Sequence, residues 1–224
     1  MLALGFGIWR VSRHRDSRFL VMFLSGVFWQ GTNELILQTL QLRGGQYKFA
    51  VFGQEMSGFA GNLFQGITEG GIFAVMGVWV VALWVTPQDR SLRRAYVVFC
   101  AIIIVLATMV GIAAHGGAIT SARPLFRWDN QIWLWSRVAL GLALTAWRGR
   151  FRPLGYFFVG LLIYGVITFE PLHVLGARYV GVRTLDGQFM TAGPAAQILV
   201  MCWSQLVDIA ASKIHYFAIP VALG

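Results

Sequence analysis

Apolar residues dominate seven stretches of the chain, at about 1–9, 18–40, 64–86, 95–115, 131–147, 154–172 and 194–218. A helix needs about 20 predominantly apolar residues to cross about 30 Å of hydrocarbon. The pattern therefore predicts an all-α fold, a polytopic transmembrane bundle of about seven helices in one integral membrane domain, 1–224. The first run has only nine residues before Arg10, too few to span alone. It reads as a short helix leaning on its neighbours, and not as a secretory signal, because its basic cluster follows the apolar part.

Polar residues interrupt these runs in an ordered way. In "FWQGTNELILQTLQ", Gln30, Asn33, Glu34, Gln38 and Gln41 share one stripe at helical spacing. The third run repeats the device with Asn62, Gln65 and Glu69, and the last with Gln197, Ser204, Asp208 and His215. Polar faces in lipid turn toward each other or toward enclosed water. The expectation is a polar cavity between helices 2, 3 and 7, with Arg137 of helix 5 as counter-charge. Amides, Ser and Thr on such a face also serve as interhelical hydrogen-bond glue. Ionisable groups held inside the membrane default to function.

Charge sets the topology. The chain is 57% hydrophobic and 12% charged, against about 25% charged in a soluble domain. A net charge of +9 would point to nucleic acid in a soluble protein. Here the basic residues fall in short loops, so no nucleic-acid partner is expected. Arg10, Arg13, Arg15 and Arg18, then Arg90, Arg93 and Arg94, then Arg148, Arg150 and Arg152 mark alternate loops. The positive-inside rule places those loops in the cytoplasm, with the N-terminus outside and the C-terminus inside. Trp9, Trp84, Trp128, Trp133 and Trp147 lie near run ends as an aromatic belt. Cys100 and Cys202, both inside apolar runs, read as buried reduced thiols.

Other constellations carry less. Glu170 and His173 have the Glu-x-x-His spacing of carboxylate-bridged di-iron bundles, but only one copy exists, and Pro171 is expected to break the helix between them. No metal and no cofactor is expected. "DIAASK" resembles the last helix of microbial rhodopsins, where a lysine binds retinal. The Asp208–Lys213 spacing is one residue longer than that family uses, and Lys213 is expected to snorkel to the cytoplasmic interface. His115 reads as an interfacial helix end. Glu34 followed by "GGQYKF" and Glu170 followed by "LDGQF" raise a 3+1+3 parallel repeat about helix 4.

A helix-end glutamate with a Gly/Tyr turn ("NELILQTLQLRGGQY"), then a second glutamate opening the next span ("GNLFQGITEGG"), covers Asn33 to Gly71. This resembles a group of polytopic isoprenoid-modifying membrane enzymes: carotenoid hydratases and cyclases, meroterpenoid cyclases and emopamil-binding sterol isomerases. The resemblance implies acid–base chemistry on a polyprenyl double bond, a cyclisation, hydration or isomerisation. Glu34, Glu69 and Asp208 become the candidate acids and bases, and Trp29, Trp79 and Trp203 the candidate cation-stabilising faces. Asn33, Gln38, Asn62, Gln65, Arg137, Glu170 and His173 are candidate substrate contacts.

Three functions compete. An intramembrane enzyme on an isoprenoid or other lipid predicts acids around an aromatic pocket open to lipid. A small-solute or proton-coupled carrier predicts a midplane water cavity and a two-fold repeat. A non-catalytic subunit predicts a helix face awaiting partner membrane subunits.

Overall fold

The computed structural model describes residues 2–40, 50–51, 54–55, 58–113, 119–120, 128–183 and 189–223. Among these, seven helical rods form the bundle: α1 (Leu2–His14), α2 (Arg18–Thr39), α3 (Gly58–Val85), α4 (Arg90–Ala113), α5 (Trp128–Arg148), α6 (Phe151–Val174) and α7 (Pro194–Leu223). All but α1 and α5 are long and apolar enough to cross a membrane, and the chain is an all-α bundle integrated in a membrane. At 13 residues, α1 rises only about 20 Å. The 21-residue α5 is long enough, but Asp129, Arg137 and Arg148 make it amphipathic. The strands among the described residues are short pairs, Ala50–Val51 with Gln54–Glu55, Ile119–Thr120 with Arg178–Tyr179, and Gly181–Arg183 with Phe189–Thr191. They belong to the three connections at one end of the bundle; the basic connections occupy the other.

α3 is the central rod, packed against α1, α2, α4, α6 and α7. Its apolar half, Gly71–Val85, is hydrophobic all round, as a helix buried on every side must be. Trp79 is 1% exposed. Phe6 stacks on its ring at a centroid distance of 4.0 Å, and Phe19, Tyr96 and Phe99 surround it. Its indole nitrogen donates to the Leu92 carbonyl. The short α1 is held in the bundle by covering this aromatic cluster.

Two backbones meet without intervening side chains where α2 crosses α3. A Cβ on Gly26 would strike the Gly70 carbonyl, and one on Gly70 would strike the Gly26 carbonyl and the Gln30 side chain. Such small-residue contacts replace the hydrophobic effect as the source of helix association in lipid.

Two of the spanning rods depart from α geometry. α3 contains a π-helical turn, Gly66–Gly70, and α7 contains one at Ser204–Ala210, followed by a 3₁₀ turn at Ala211–Lys213. Each π turn inserts residues into the 3.6 period and rotates the helix beyond it. Lys213 is consequently not at the interface, as the ideal-helix projection predicts. It is 6% exposed, donates to the Asp208 carbonyl at 2.6 Å and lies 4.9 Å over the Phe73 ring. Pro171 likewise does not end its helix; α6 runs through it to Val174. Pro171 removes the amide that would meet the Ile167 carbonyl, a loss of one bond within two turns of the helix end.

At the basic end, Arg10 is buried and bridges two turns. Its guanidinium reaches Asp16 at 2.9 Å and Asp89 at 3.3 Å, while Arg18 meets Asp16 at 2.8 Å. Burial alone would raise the Asp16 carboxyl, but hydrogen bonds from Arg18 and Arg10 outweigh it and hold Asp16 well below the usual carboxylate range. Asp89 is lowered by the Ser91 hydroxyl and the Leu92 amide, with Arg10 adding to them. Gly149, at φ +62°, makes the turn between α5 and α6. Of the belt tryptophans, Trp9, Trp84, Trp128 and Trp147 are exposed on the bundle surface, whereas Trp133 turns inward. Cys100 is half-buried and Cys202 faces outward; neither is disulfide-bonded.

Two outcomes are expected. Gly70→Ala should force α2 and α3 apart and cost about 1–3 kcal/mol, seen as a lower melting temperature of the detergent-solubilised protein. Asp16→Asn should cost about 2 kcal/mol at pH 7, between the values for exposed and buried pairs. Because the folded carboxyl is depressed, that stability is complete above the unfolded value near 4 and is lost as pH falls toward the folded one. The melting difference between wild type and Asp16→Asn should therefore close in acid.

Candidate functional site

The stripe of α2 turns inward. Gln30, Asn33 and Glu34 are 4%, 7% and 0% exposed. Their side chains form one network: Gln30 Nε2 donates to Glu34 Oε1 at 3.0 Å, and Asn33 Nδ2 approaches the same oxygen at 3.4 Å. Tyr216 of α7 donates its hydroxyl to Gln30 Oε1 at 2.5 Å, and Ser25 donates to the Tyr216 carbonyl. From α5, Trp133 Nε1 donates to Asn33 Oδ1 at 2.8 Å. Two helices, α5 and α7, are thereby tied to one face of α2.

Tyr216 is the centre of this region. It is wholly buried, and its phenol stands within charge–charge reach of Glu34, Glu69, Asp208 and Arg137. Glu69 sits in the π turn of α3 and accepts from Gln65 at 3.1 Å. Asp208 sits in the π turn of α7, where its main-chain carbonyl receives both Ser212 and Lys213. Asn62 is buried beside Gly31 of α2.

Other candidates lie apart. Trp79 belongs to the aromatic cluster at the basic end; ten residues of helix separate it from Glu69, about 15 Å, so it is not a face for chemistry at Glu34. Trp203 meets the exposed Trp135 at 6.3 Å, nearer the surface. Glu170 accepts from Gln205 of α7 at 3.0 Å, which joins α6 to α7. With His173 it forms no group of three metal-ligating side chains, and none occurs among the described residues. Gln197 clamps the strand-bearing end, pairing both ways with the Val180 backbone. The Gln38 side chain, Gln41, His115 and most of the segments compared for a repeat lie outside the described residues.

The cavity among the described residues shares helices 2 and 7 with the expectation and has helix 5 in place of helix 3. A cavity of about 150 Å³ lies between α2, α5 and α7, with no residue of α3 in its wall. α2 supplies Trp29, Thr32, Asn33 and Ile36; α5 supplies Trp133, Ser136, Arg137 and Leu140; His215 closes the inner end. Both sets run i, i+3, i+4, i+7, one stripe on each of two helices that diverge above α7. The physical reason for the displacement is the Gly26–Gly70 contact, which closes the α2–α3 seam and leaves the opening on the far side of α2. Arg137, 8% exposed, directs Nε to the Trp133 carbonyl and its guanidinium lies 5.6 Å from the Trp133 ring centre. Trp29 packs edge-on against His215 at 5.7 Å.

Sequence reasoning missed Tyr216, Trp133 and the polar lining at Thr32 and Ser136. Tyr216 follows His215 in an apolar run, and its only signal was general: a buried tyrosine hydroxyl needs a partner.

Comparison of the chain with family models, with curated proteins and with solved structures finds no match. The functional reading therefore rests on the site itself.

Proposed function

We propose that the chain is an intramembrane enzyme that does acid–base chemistry on an isoprenoid or other lipid entering from the bilayer through the α2–α5 groove. The observation that carries this reading is the double position of Asn33, which lines the cavity and also hydrogen-bonds Glu34. A carboxyl group thus stands one side chain behind a groove walled by Trp29, Trp133, Ile36 and Leu140. Both amide donors approach Glu34 Oε1, so the proton of its acid form belongs on Oε2. Protonation of a double bond leaves a carbocation, which an indole face stabilises electrostatically. Loss of a proton from that cation, or capture of water by it, completes an isomerisation or a hydration. Orientation follows the arginines, with the basic end in the cytoplasm and the strand pairs outside.

A second reading has its own observation. Each of Glu34, Glu69 and Glu170 is already held by a glutamine, Gln30, Gln65 and Gln205. Two of these pairs lie four residues apart on one helix and the third, Gln205 with Glu170, joins α6 to α7 as interhelical glue; α4, with Val97, Val105, Met109 and Ile112 outward, then faces a partner membrane subunit.

Glu34→Gln separates the two. On the enzyme reading, overproduced wild type alters a lipid species in the membrane extract, and Glu34→Gln loses about 10²–10⁴-fold of that activity while melting normally. Lower stability of Glu34→Gln, with no lipid altered by either protein, favours the subunit. For orientation, an impermeant maleimide added from outside should label Gly193→Cys and not Gln88→Cys; the reverse pattern inverts the topology.

A further inference from the structure

The α2–α5 cavity is divided along its length. Its polar groups, Thr32, Asn33, Ser136 and Arg137, lie toward the strand-bearing end, while Trp29, Leu140 and His215 lie deeper. Side chains on a helix lean toward its N-terminus, and for α5 that is the strand-bearing end. Arg137 follows the rule, because Nε reaches the Trp133 carbonyl one turn up. The guanidinium is therefore only about 8 Å below the first residue of α5, at 1.5 Å per residue. That depth is within reach of a lipid headgroup.

Volume restricts what fits. An apolar cavity of about 150 Å³ accepts a molecule the size of benzene, far less than a whole lipid. Only a headgroup or one end of a chain can enter, and the remainder must lie along the bundle surface. At its deeper level the cavity opens sideways beside Leu140, which is 43% exposed. Guanidinium is always protonated and presents a fork of donors matched to oxyanions.

We infer that this groove seats the oxyanion of an anionic lipid on Arg137, with Asn33, Thr32 and Ser136 as its hydrogen-bonding surroundings and the acyl or prenyl chain leaving past Leu140 into the bilayer. The inference rests on the reading that lipid enters this groove, and adds the charge of its headgroup. It does not depend on any reaction taking place there.

The test uses the full chain in lipid nanodiscs and the fluorescence of Trp29, taken as the difference between wild type and Trp29→Phe. Brominated phosphatidylglycerol should quench it at about tenfold lower mole fraction than brominated phosphatidylcholine, the worth of one charge-assisted contact. Arg137→Gln should abolish that preference and Arg137→Lys should retain most of it. If Arg137→Gln does not fold, Ser136→Trp, which blocks the mouth, should abolish the preference at an unchanged melting temperature. A brominated fatty acid that matches phosphatidylglycerol identifies a free carboxylate as sufficient; one that fails identifies the phosphodiester. Equal quenching by both phospholipids, or a preference that survives both Arg137→Gln and Ser136→Trp, overturns the inference. A preference that stands while overproduced wild type alters no lipid leaves this site intact and removes the enzyme.

Discussion

The approach of two backbones at Gly26 and Gly70 sets the position of nearly everything else. No side chain separates α2 from α3 there, and a Cβ on Gly70 would also meet the Gln30 side chain. Gln30 is therefore pressed along the seam, where its amide reaches Glu34 on one side and the Tyr216 hydroxyl on the other. In water such contacts would compete with solvent and contribute about 1 kcal/mol each. In hydrocarbon the alternative to pairing is an unsatisfied polar group, so the same contacts decide which helix faces can be buried. Closing the α2–α3 seam leaves α2 free to diverge from α5, and that divergence is the cavity.

The π turns perform a related task for the other two rods. Glu69 and Asp208 each lie within a stretch of wider helix, where backbone bonding is already irregular and polar side chains and carbonyls can be turned toward neighbours. The turn in α7 also resets its phase. His215 then faces the groove, Tyr216 faces Gln30, and Lys213 is drawn inside over Phe73. At about 100° per residue, residues 213, 215 and 216 lie within about 160° of the circumference, so one setting of the helix beyond the turn faces all three inward.

Hydropathy placed the seven rods well because a 20-residue apolar run has few other uses. The short α1 and the inward stripe of α2 were legible for the same reason: Gln30, Asn33 and Glu34 cost too much facing lipid. The illegible features arise from local geometry. The π turns moved Lys213 from the interface to the interior, Pro171 was tolerated near a helix end, and Trp79 was captured by Phe6 of a helix too short to span. Arg10 looked like a topology signal and is also the centre of an ion-paired turn with Asp16 and Asp89. The cavity among the described residues has α5 where helix 3 was expected, since a stripe shows that a helix has a polar face and not which neighbour fills it.

This last distinction bears on how buried acids are read. Glu34, Glu69 and Glu170 share one local arrangement, a carboxylate oxygen receiving a glutamine amide, yet their settings differ. Glu170 joins two rods, and Glu69 is held within its own helix by Gln65. Glu34 alone of these three is also bonded by a residue, Asn33, that faces a cavity. Glue and chemistry use the same hydrogen bonds; access separates them. A carboxyl group held by amides remains structural until a second molecule can reach its neighbours, and on α2 the divergence from α5 supplies that access within one turn of the helix.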